Sequence, residues 1–313
     1  ARVRLRYGEL LYPDGTLNGM TAVCGQIKGG GPDYRYDGKG MPKTAWQMDE
    51  YILKGEGEEV YTPRFTFHGF RYVEVTGYPG KPKLGALEGL RLNSDVASAG
   101  SFACSNERLN RIQEMVLWTE LSNLFSVESD CPHREKFGYG GDIVAAGEMA
   151  LYNFDMERFY AKAVQDLVDA VRTNGGFTET APFVGISDEG LGAGSGPVGW
   201  GTAHPFLLWR LYQHYGDKRL LEGNYEAAKR WLALLQSRAQ GGILDNGLSD
   251  HESLVPKPRA LTGTGFYYLN ARLFARIARA LGRDSDAAEA GSLAETIKAA
   301  FNRKFLQPGT GRY

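Results

Sequence analysis

Thirteen consecutive residues, Asp130-Cys131-Pro132-His133-Arg134-Glu135-Lys136-Phe137-Gly138-Tyr139-Gly140-Gly141-Asp142, hold three acids, an arginine, a histidine and a tyrosine. Carboxyl groups confined near one another and partly withdrawn from water have their pKa values driven apart. That is how a protein keeps one acid protonated beside one carboxylate at neutral pH, and it is the equipment of general acid–base catalysis. Pro132 and the glycines at 138, 140 and 141 make this a loop, not a helix face. A solvated loop in which Glu135 pairs with Lys136 or Arg134 is the other reading, and both stand at this point.

A second cluster, Leu248-Ser249-Asp250-His251-Glu252-Ser253, again sets acids beside an imidazole after Gly-rich sequence. Its competing reading is a helix N-cap, with Ser249 or Asp250 capping a short turn. Gly194-Ser195-Gly196-Pro197-Val198-Gly199 fits the GxGxxG spacing of dinucleotide sites. That motif needs a preceding strand in a βαβ unit, and this one lies between helical stretches with a proline inside it, so the fingerprint is rejected. The segment reads better as a loop presenting Trp200, either as a platform for a sugar ring or as a core residue at a helix start. No HExxH, P-loop, GxSxG or EF-hand pattern is present. His68 and His204 read as structural histidines. Cys24, Cys104 and Cys131 are an odd set without CxxC spacing, which fits neither a disulfide framework nor a zinc site.

These loops must be carried by something. Residues 1 to about 95 read as β, with short apolar and β-branched runs at Ala1–Tyr7, Arg64–Phe70 and Arg71–Thr76. Turns punctuate them at Pro13-Asp14-Gly15, Gly29-Gly30-Gly31 and Pro79-Gly80. Such a pattern predicts a sandwich or similar sheet layer. From about Gly100 the period becomes helical. Leu109, Ile112, Met115 and Val116 share one face of Asn106–Leu124, with Ser105 or Asn106 as N-cap. Helical stretches follow at Ile143–Phe154, Met156–Arg172, Thr202–Tyr215, Lys218–Arg238, Gly265–Leu281 and Asp284–Phe305, roughly seven in all. The long joints Phe137–Asp142, Thr173–Trp200 and Gly241–Lys257 fall between them, where sites usually sit.

Composition sets the outer limits. The chain has 313 residues, 42% hydrophobic and 23% charged, which excludes a disordered or collagen-like polymer. A formal net charge of −1 advertises neither nucleic acid nor an anionic membrane as partner. No apolar run approaches the ~20 residues of a membrane helix. Forty-one glycines with 32 tyrosines and phenylalanines suit a carbohydrate site as well as they suit plain β-turns. The first residue is Ala, no signal peptide follows, and the chain stops just after a helix-like run, so it reads as a mature form or a fragment.

The run Asp130-Cys131-Pro132-His133-Arg134-Glu135-Lys136, followed by Gly138-Tyr139 and Gly141-Asp142, closely resembles the DCPxRE(K/R)xGWxGD signature of the family 78 glycoside hydrolases, the bacterial α-L-rhamnosidases. Upstream, Pro63 to Tyr72 is similar to the family's PxFxxxGFRY stretch, and Gly196 to Gly201 and Asp250-His251 fall where the family places further sugar contacts. The resemblance implies a multidomain β + α chain: an N-terminal β-sandwich over 1–98, then part of an (α/α)6 toroid over 99–313. It implies hydrolysis of terminal α-L-rhamnosyl linkages with inversion, on a rhamnose-containing glycoside or polysaccharide, without a metal or organic cofactor. By position, Glu135 matches the general acid. Asp130, Arg134 and Asp142 match residues that hydrogen-bond the sugar hydroxyls. Tyr139 stands where the family usually has Trp and Trp200 matches a second wall, while Asp250 and His251 match a further contact, His251 replacing another Trp. The family's general base is a Glu in a WExW context, which this chain does not contain; the alternative is therefore a carbohydrate-binding or inactive homologue. A periplasmic or secreted location is implied, with a cytoplasmic one as the alternative.

Overall fold

A computed structural model of the chain describes residues 1–22, 47–187, 189–249, 253–255 and 258–313. The chain divides into two compact units. One comprises Ala1–Ser94, Trp118–Phe125 and Ser129–Lys136; the other comprises Asp95–Leu117, Ser126–Glu128 and Phe137–Tyr313.

The strands of the first unit are β1 (Arg2–Gly8), β2 (Leu10–Leu11), β3 (Leu17–Asn18), β4 (Met48–Ile52) and β5 (Tyr72–Thr76). β1 lies between β4 and β5, antiparallel to both. Its side chains alternate in use. Arg4 and Arg6 meet Glu50 and Glu74 directly across the neighbouring strands, at 2.6 and 3.0 Å. Tyr7, on the opposite face, is buried and stacks on His68 at 4.0 Å. A slip of one residue would exchange these faces, so the cross-strand charges and the tyrosine together fix the register. β2 and β3 form a hairpin at the expected Pro13-Asp14-Gly15 turn, where Asp14 accepts the Thr16 N–H at 2.9 Å and Gly15 takes a φ of +83°. The Gly29-Gly30-Gly31 turn lies outside the described residues.

Arg64–Phe70 is not a strand. Phe65 has a φ of +57°, and the Phe67 carbonyl is taken by a lysine side chain rather than by a strand neighbour. β-branched and aromatic content alone had suggested pairing there; the segment's backbone partner is a loop.

The helices are α1 (Glu107–Asn123), α2 (Gly140–Asn153), α3 (Glu157–Asp169), the single turn α4 (Val198–Gly201), α5 (Ala203–Tyr215), α6 (Lys218–Arg238), α7 (Arg259–Ala280) and α8 (Asp284–Phe305). All seven expected helices are present, and α4 is added. Asn106 caps α1 by accepting the Arg108 N–H at 3.0 Å. α2 starts earlier than the hydrophobic period indicates because Gly140 and Gly141, read as loop glycines, are inside it, and α7 starts at Arg259, ahead of the expected Gly265. In α7, a Cβ at Gly263 would strike the backbone carbonyls of Leu244 and Asn246.

The second unit's core is aromatic and aliphatic, with Trp231, Tyr160, Tyr267 and Phe177 fully buried. Each such side chain contributes roughly 1.5–3 kcal/mol by leaving water. Hairpins are closed by Gly216 (φ +75°), followed by the N-cap Asp217, and by Gly282 (φ +70°). α8 presents Ala287, Ala290, Ala294, Ile297 and Ala300 as one buried stripe at helical spacing, small enough for close packing on α7. His204 is fully buried, stacks on Phe177 at 4.3 Å and reaches Asn224 at 3.4 Å; burial pulls its pKa down to about 3, so the imidazole is neutral.

α1 departs from its expected face. Leu109, Ile112 and Met115 are exposed, and the one buried residue of the helix is Glu120. One oxygen of that carboxyl has no hydrogen-bond partner among the described residues, and burial pushes its pKa up to about 7. A carboxyl held above its unfolded value binds its proton more tightly in the fold. Stability therefore falls as pH rises from about 4.5 to about 7 and stays reduced above that. Glu120→Gln cannot ionise, and it should raise Tm at pH 8 by ~5 °C while changing it little at pH 4. Calorimetry giving equal Tm values for both proteins at pH 8 would show that the buried carboxyl carries no such penalty.

Candidate active site

The acid-rich loop is built from inside by a sulfur atom. Cys131 is buried; its Sγ–H donates to Asp130 Oδ2 at 2.7 Å, and the same sulfur accepts the Glu135 N–H at 3.2 Å. One side chain thus fixes both the first acid of the loop and the backbone of the second. Burial, followed by the bond to Asp130, raises the thiol's pKa, which keeps it protonated and able to donate.

From outside, the part of the loop up to Lys136 is held by the β-rich unit to which it belongs. Gly69 presses on the loop backbone so closely that a Cβ would lie 2.8 Å from the Pro132 carbonyl carbon and oxygen. His133 meets Glu9 at 3.3 Å. Lys136 takes a φ of +61° and donates to the Phe67 carbonyl at 2.6 Å and to Gln47 Oε1 at 2.9 Å, with its ammonium 4.5 Å from the Phe67 ring centre. The expected pairing of Glu135 with Lys136 or Arg134 is therefore replaced. The ammonium is turned to the β layer, and among the described residues Glu135 makes no ion pair with either. Glu135 is half-buried and Arg134 exposed. The two sequence stretches singled out separately, Pro63–Tyr72 and Asp130–Lys136, are partners in space.

The remaining described candidates lie in the helical unit. Tyr139 is the N-cap of α2, and Asp142 sits in its first turn, where the helix dipole favours an anion. The half-buried Trp200 indole lies over Gly141, where a Cβ would come within 2.6 Å of the ring, and Gly140 passes the Trp200 carbonyl as closely. These two glycines open the helix because a side chain at 141 would strike the indole and one at 140 the Trp200 carbonyl. Trp200 is fixed in turn by a buried relay: Trp231 Nε1 donates to Asn270 at 2.8 Å, Asn270 donates to Thr202 Oγ1 at 2.7 Å, and Thr202 Oγ1 donates to the Val198 carbonyl of α4 at 2.7 Å.

So the structure groups Asp130 with Glu135 through Cys131, and Tyr139 and Asp142 with Trp200 through the glycines. Asp250 and His251 lie outside the described residues. Sequence reading passed over Glu179. This acid is 4% exposed in a run of buried threonines, with its carbonyl accepting the Gly140 N–H and its neighbour Thr180 bridged to Tyr139. A charged residue enclosed by Phe177-Thr178 and Thr180-Ala181-Pro182 was the available signal. Among the described residues no cluster of His, Cys, Asp and Glu is arranged to hold a metal ion.

A methyl group at position 141 must displace the indole. Gly141→Ala should shift and quench Trp200 emission, read as the difference from a Trp200→Phe background, and cost about 1–3 kcal/mol of stability by overpacking. An unchanged difference spectrum would mean that the glycine is not under the ring.

Both parts of the chain match domains of known proteins. Residues 97–313 match the bacterial alpha-L-rhamnosidase 6 hairpin glycosidase domain, and residues 1–93 match the bacterial alpha-L-rhamnosidase concanavalin-like domain. An alpha-L-rhamnosidase of Streptomyces avermitilis is 36% identical over 307 residues, covering 97% of this chain and 27% of the Streptomyces protein. The solved structure of alpha-L-rhamnosidase from Dictyoglumus thermophilum superposes with a TM-score of 0.85 at 39% identity, covering 98% of this chain and 32% of that one. The Streptomyces avermitilis enzyme complexed with L-rhamnose superposes with a TM-score of 0.81 at 34% identity, over 98% and 27% of the two chains. The chain thus spans about a third or less of the length of these relatives. With both of its parts matched, in the same order, this chain belongs to the bacterial α-L-rhamnosidase family.

Proposed function

We propose that the protein containing this chain is a glycoside hydrolase that releases terminal α-L-rhamnose with inversion, and that Glu135 is its general acid. The observation that carries the reading is the Cys131 anchor, which sets the Glu135 backbone and the Asp130 carboxylate against one sulfur atom. Asp130, Arg134 and Asp142 then bind the sugar hydroxyls, and Tyr139 and Trp200 form apolar walls. A sugar ring offers such walls its C–H faces, and its hydroxyls suit charged, bidentate partners. The L-rhamnose in the Streptomyces relative supports the same sugar class.

In this reading the catalytic step at this chain is one proton transfer. Glu135 donates its proton to the glycosidic oxygen as the bond to the anomeric carbon breaks, and the departing alcohol leaves neutral. Inversion also needs a carboxylate about 6.5–9.5 Å away to activate water on the opposite face. The reading assigns that base to the WExW-type glutamate of the family and assigns this chain the acid alone. We read the helical part, 99–313, as belonging to an (α/α)6 toroid and 1–98 as a β-sandwich. The second reading is sugar binding without turnover, in which the protein supplies no general base.

The protein as its gene encodes it should hydrolyse aryl α-L-rhamnosides, and NMR in the first moments of reaction should show β-L-rhamnose; α-L-rhamnose appearing first would overturn inversion. Glu135→Gln should lower kcat at least ~10²-fold on a rhamnoside with a poor leaving group while L-rhamnose still binds. Rhamnose binding with no turnover by the wild-type protein would establish the second reading.

A further inference from the structure

The Lys136 ammonium is a half-buried charge placed next in sequence to the proposed acid, yet it points away from the acids of its own loop. Its partners are the Phe67 carbonyl, Gln47 Oε1 and the face of the Phe67 ring. Gln47 Oε1 also meets His68 Nδ1 at 2.9 Å, His68 Nε2 meets Asp49 Oδ2 at 2.9 Å, and the Tyr7 hydroxyl donates to that same oxygen at 2.9 Å. These polar contacts run from Tyr7 of the central strand β1 to the residue after Glu135, with Tyr7 stacked on His68.

We propose that Lys136 is a positioning residue for Glu135, and that the β-rich unit serves the reaction through it as the mount of the general acid. The proposal rests on the reading of Glu135 given above. A non-glycine residue at φ +61° is strained, and such a conformation persists only where its surroundings hold it. Here the hold is the two hydrogen bonds and the ring contact of the Lys136 side chain. The Glu135 backbone is pinned on its N-terminal side by Cys131 Sγ and on its C-terminal side by this turn. Releasing the turn lets the peptide following Glu135 relax toward negative φ, which swings the carboxyl off the glycosidic oxygen. Proton donation requires that distance to stay within hydrogen-bond reach.

Loss of acid positioning has a signature that general destabilisation lacks. A nitrophenolate leaves without a proton, whereas an alkoxide does not, so only poor leaving groups depend on the acid. Lys136→Met keeps the stem and removes the donor. In the protein as its gene encodes it, this variant should lose at least ~30-fold in kcat on methyl α-L-rhamnoside and less than ~3-fold on the 4-nitrophenyl compound, with KM little changed. Lys136→Arg should recover part of the loss. Gln47→Leu, which removes one of the two acceptors, should show the same selectivity more weakly, and it decides the question if Lys136→Met does not fold. Equal losses on both substrates, or no loss on either, would overturn the positioning role. Glu135→Gln is measured alongside. If it shows the leaving-group selectivity and the Lys136 and Gln47 variants do not, only this proposal fails; if it shows none, the acid assignment fails and this proposal with it.

Discussion

The constraint on which the acid loop depends is the burial of one positive charge. Withdrawing an ammonium from water costs several kcal/mol unless its donors are matched. Lys136 is accepted by a carbonyl at 2.6 Å and an amide oxygen at 2.9 Å, with an aromatic face beside it. Burial still pulls its pKa down, the Cys131 and Asp49 groups opposing that fall. Because those acceptors belong to the segment around Gln47 and Phe67, the loop cannot take its shape unless that segment takes its own. The irregular course of Arg64–Phe70 follows from this: a strand there would commit the Phe67 carbonyl to a ladder, and the approach of Gly69 to Pro132 would be lost.

In the helical unit the governing contact is of another kind. The Trp200 indole packs over Gly141, and the buried Trp231–Asn270–Thr202 relay fixes α4, which carries it. Each polar atom of that relay has a partner, which is what makes a buried polar chain a rigid support. The glycine at 201 belongs to the same arrangement, since the Trp231 ring occupies the place a side chain would need.

The sequence disclosed much of this and hid the rest for definable reasons. Periodicity located all seven long helices, because each has an apolar stripe or a cap such as Asn106 or Asp217. It misplaced the start of α2 because Gly140 and Gly141 were read as loop glycines, whereas their places are decided by the Trp200 carbonyl and indole that lie against them; it began α7 at Gly265 in place of Arg259. It took Leu109, Ile112 and Met115 as one coherent helix face, and they are exposed, with Glu120 buried instead. Spacing marks a face but carries no information on what covers it. The density of acids drew attention to 130–142, yet the atoms that organise the loop, Cys131 Sγ and Lys136 Nζ, looked like an inert thiol and a surface charge. Their partners are 1 to 89 positions away, and only the fold brings the distant ones near.

The two kinds of support suit two kinds of work. On the proposed reading, a general acid must hold one oxygen within a few tenths of an ångström of its target, and directional bonds are what confer such precision. Glu135 accordingly sits between a sulfur acceptor and a hydrogen-bonded lysine. A sugar wall has only to offer apolar area at the right depth, and dispersion falls off gently enough with small displacements that packing suffices. Trp200 accordingly rests on glycine backbone. Tyr139, which the resemblance sets where the family usually has Trp, is a buried aromatic at the α2 cap, held through its backbone to Thr180 and Phe137. On the proposed reading, the ring size at Tyr139 sets which sugar substituents fit, whereas the precision of the acid rests on Cys131 and Lys136.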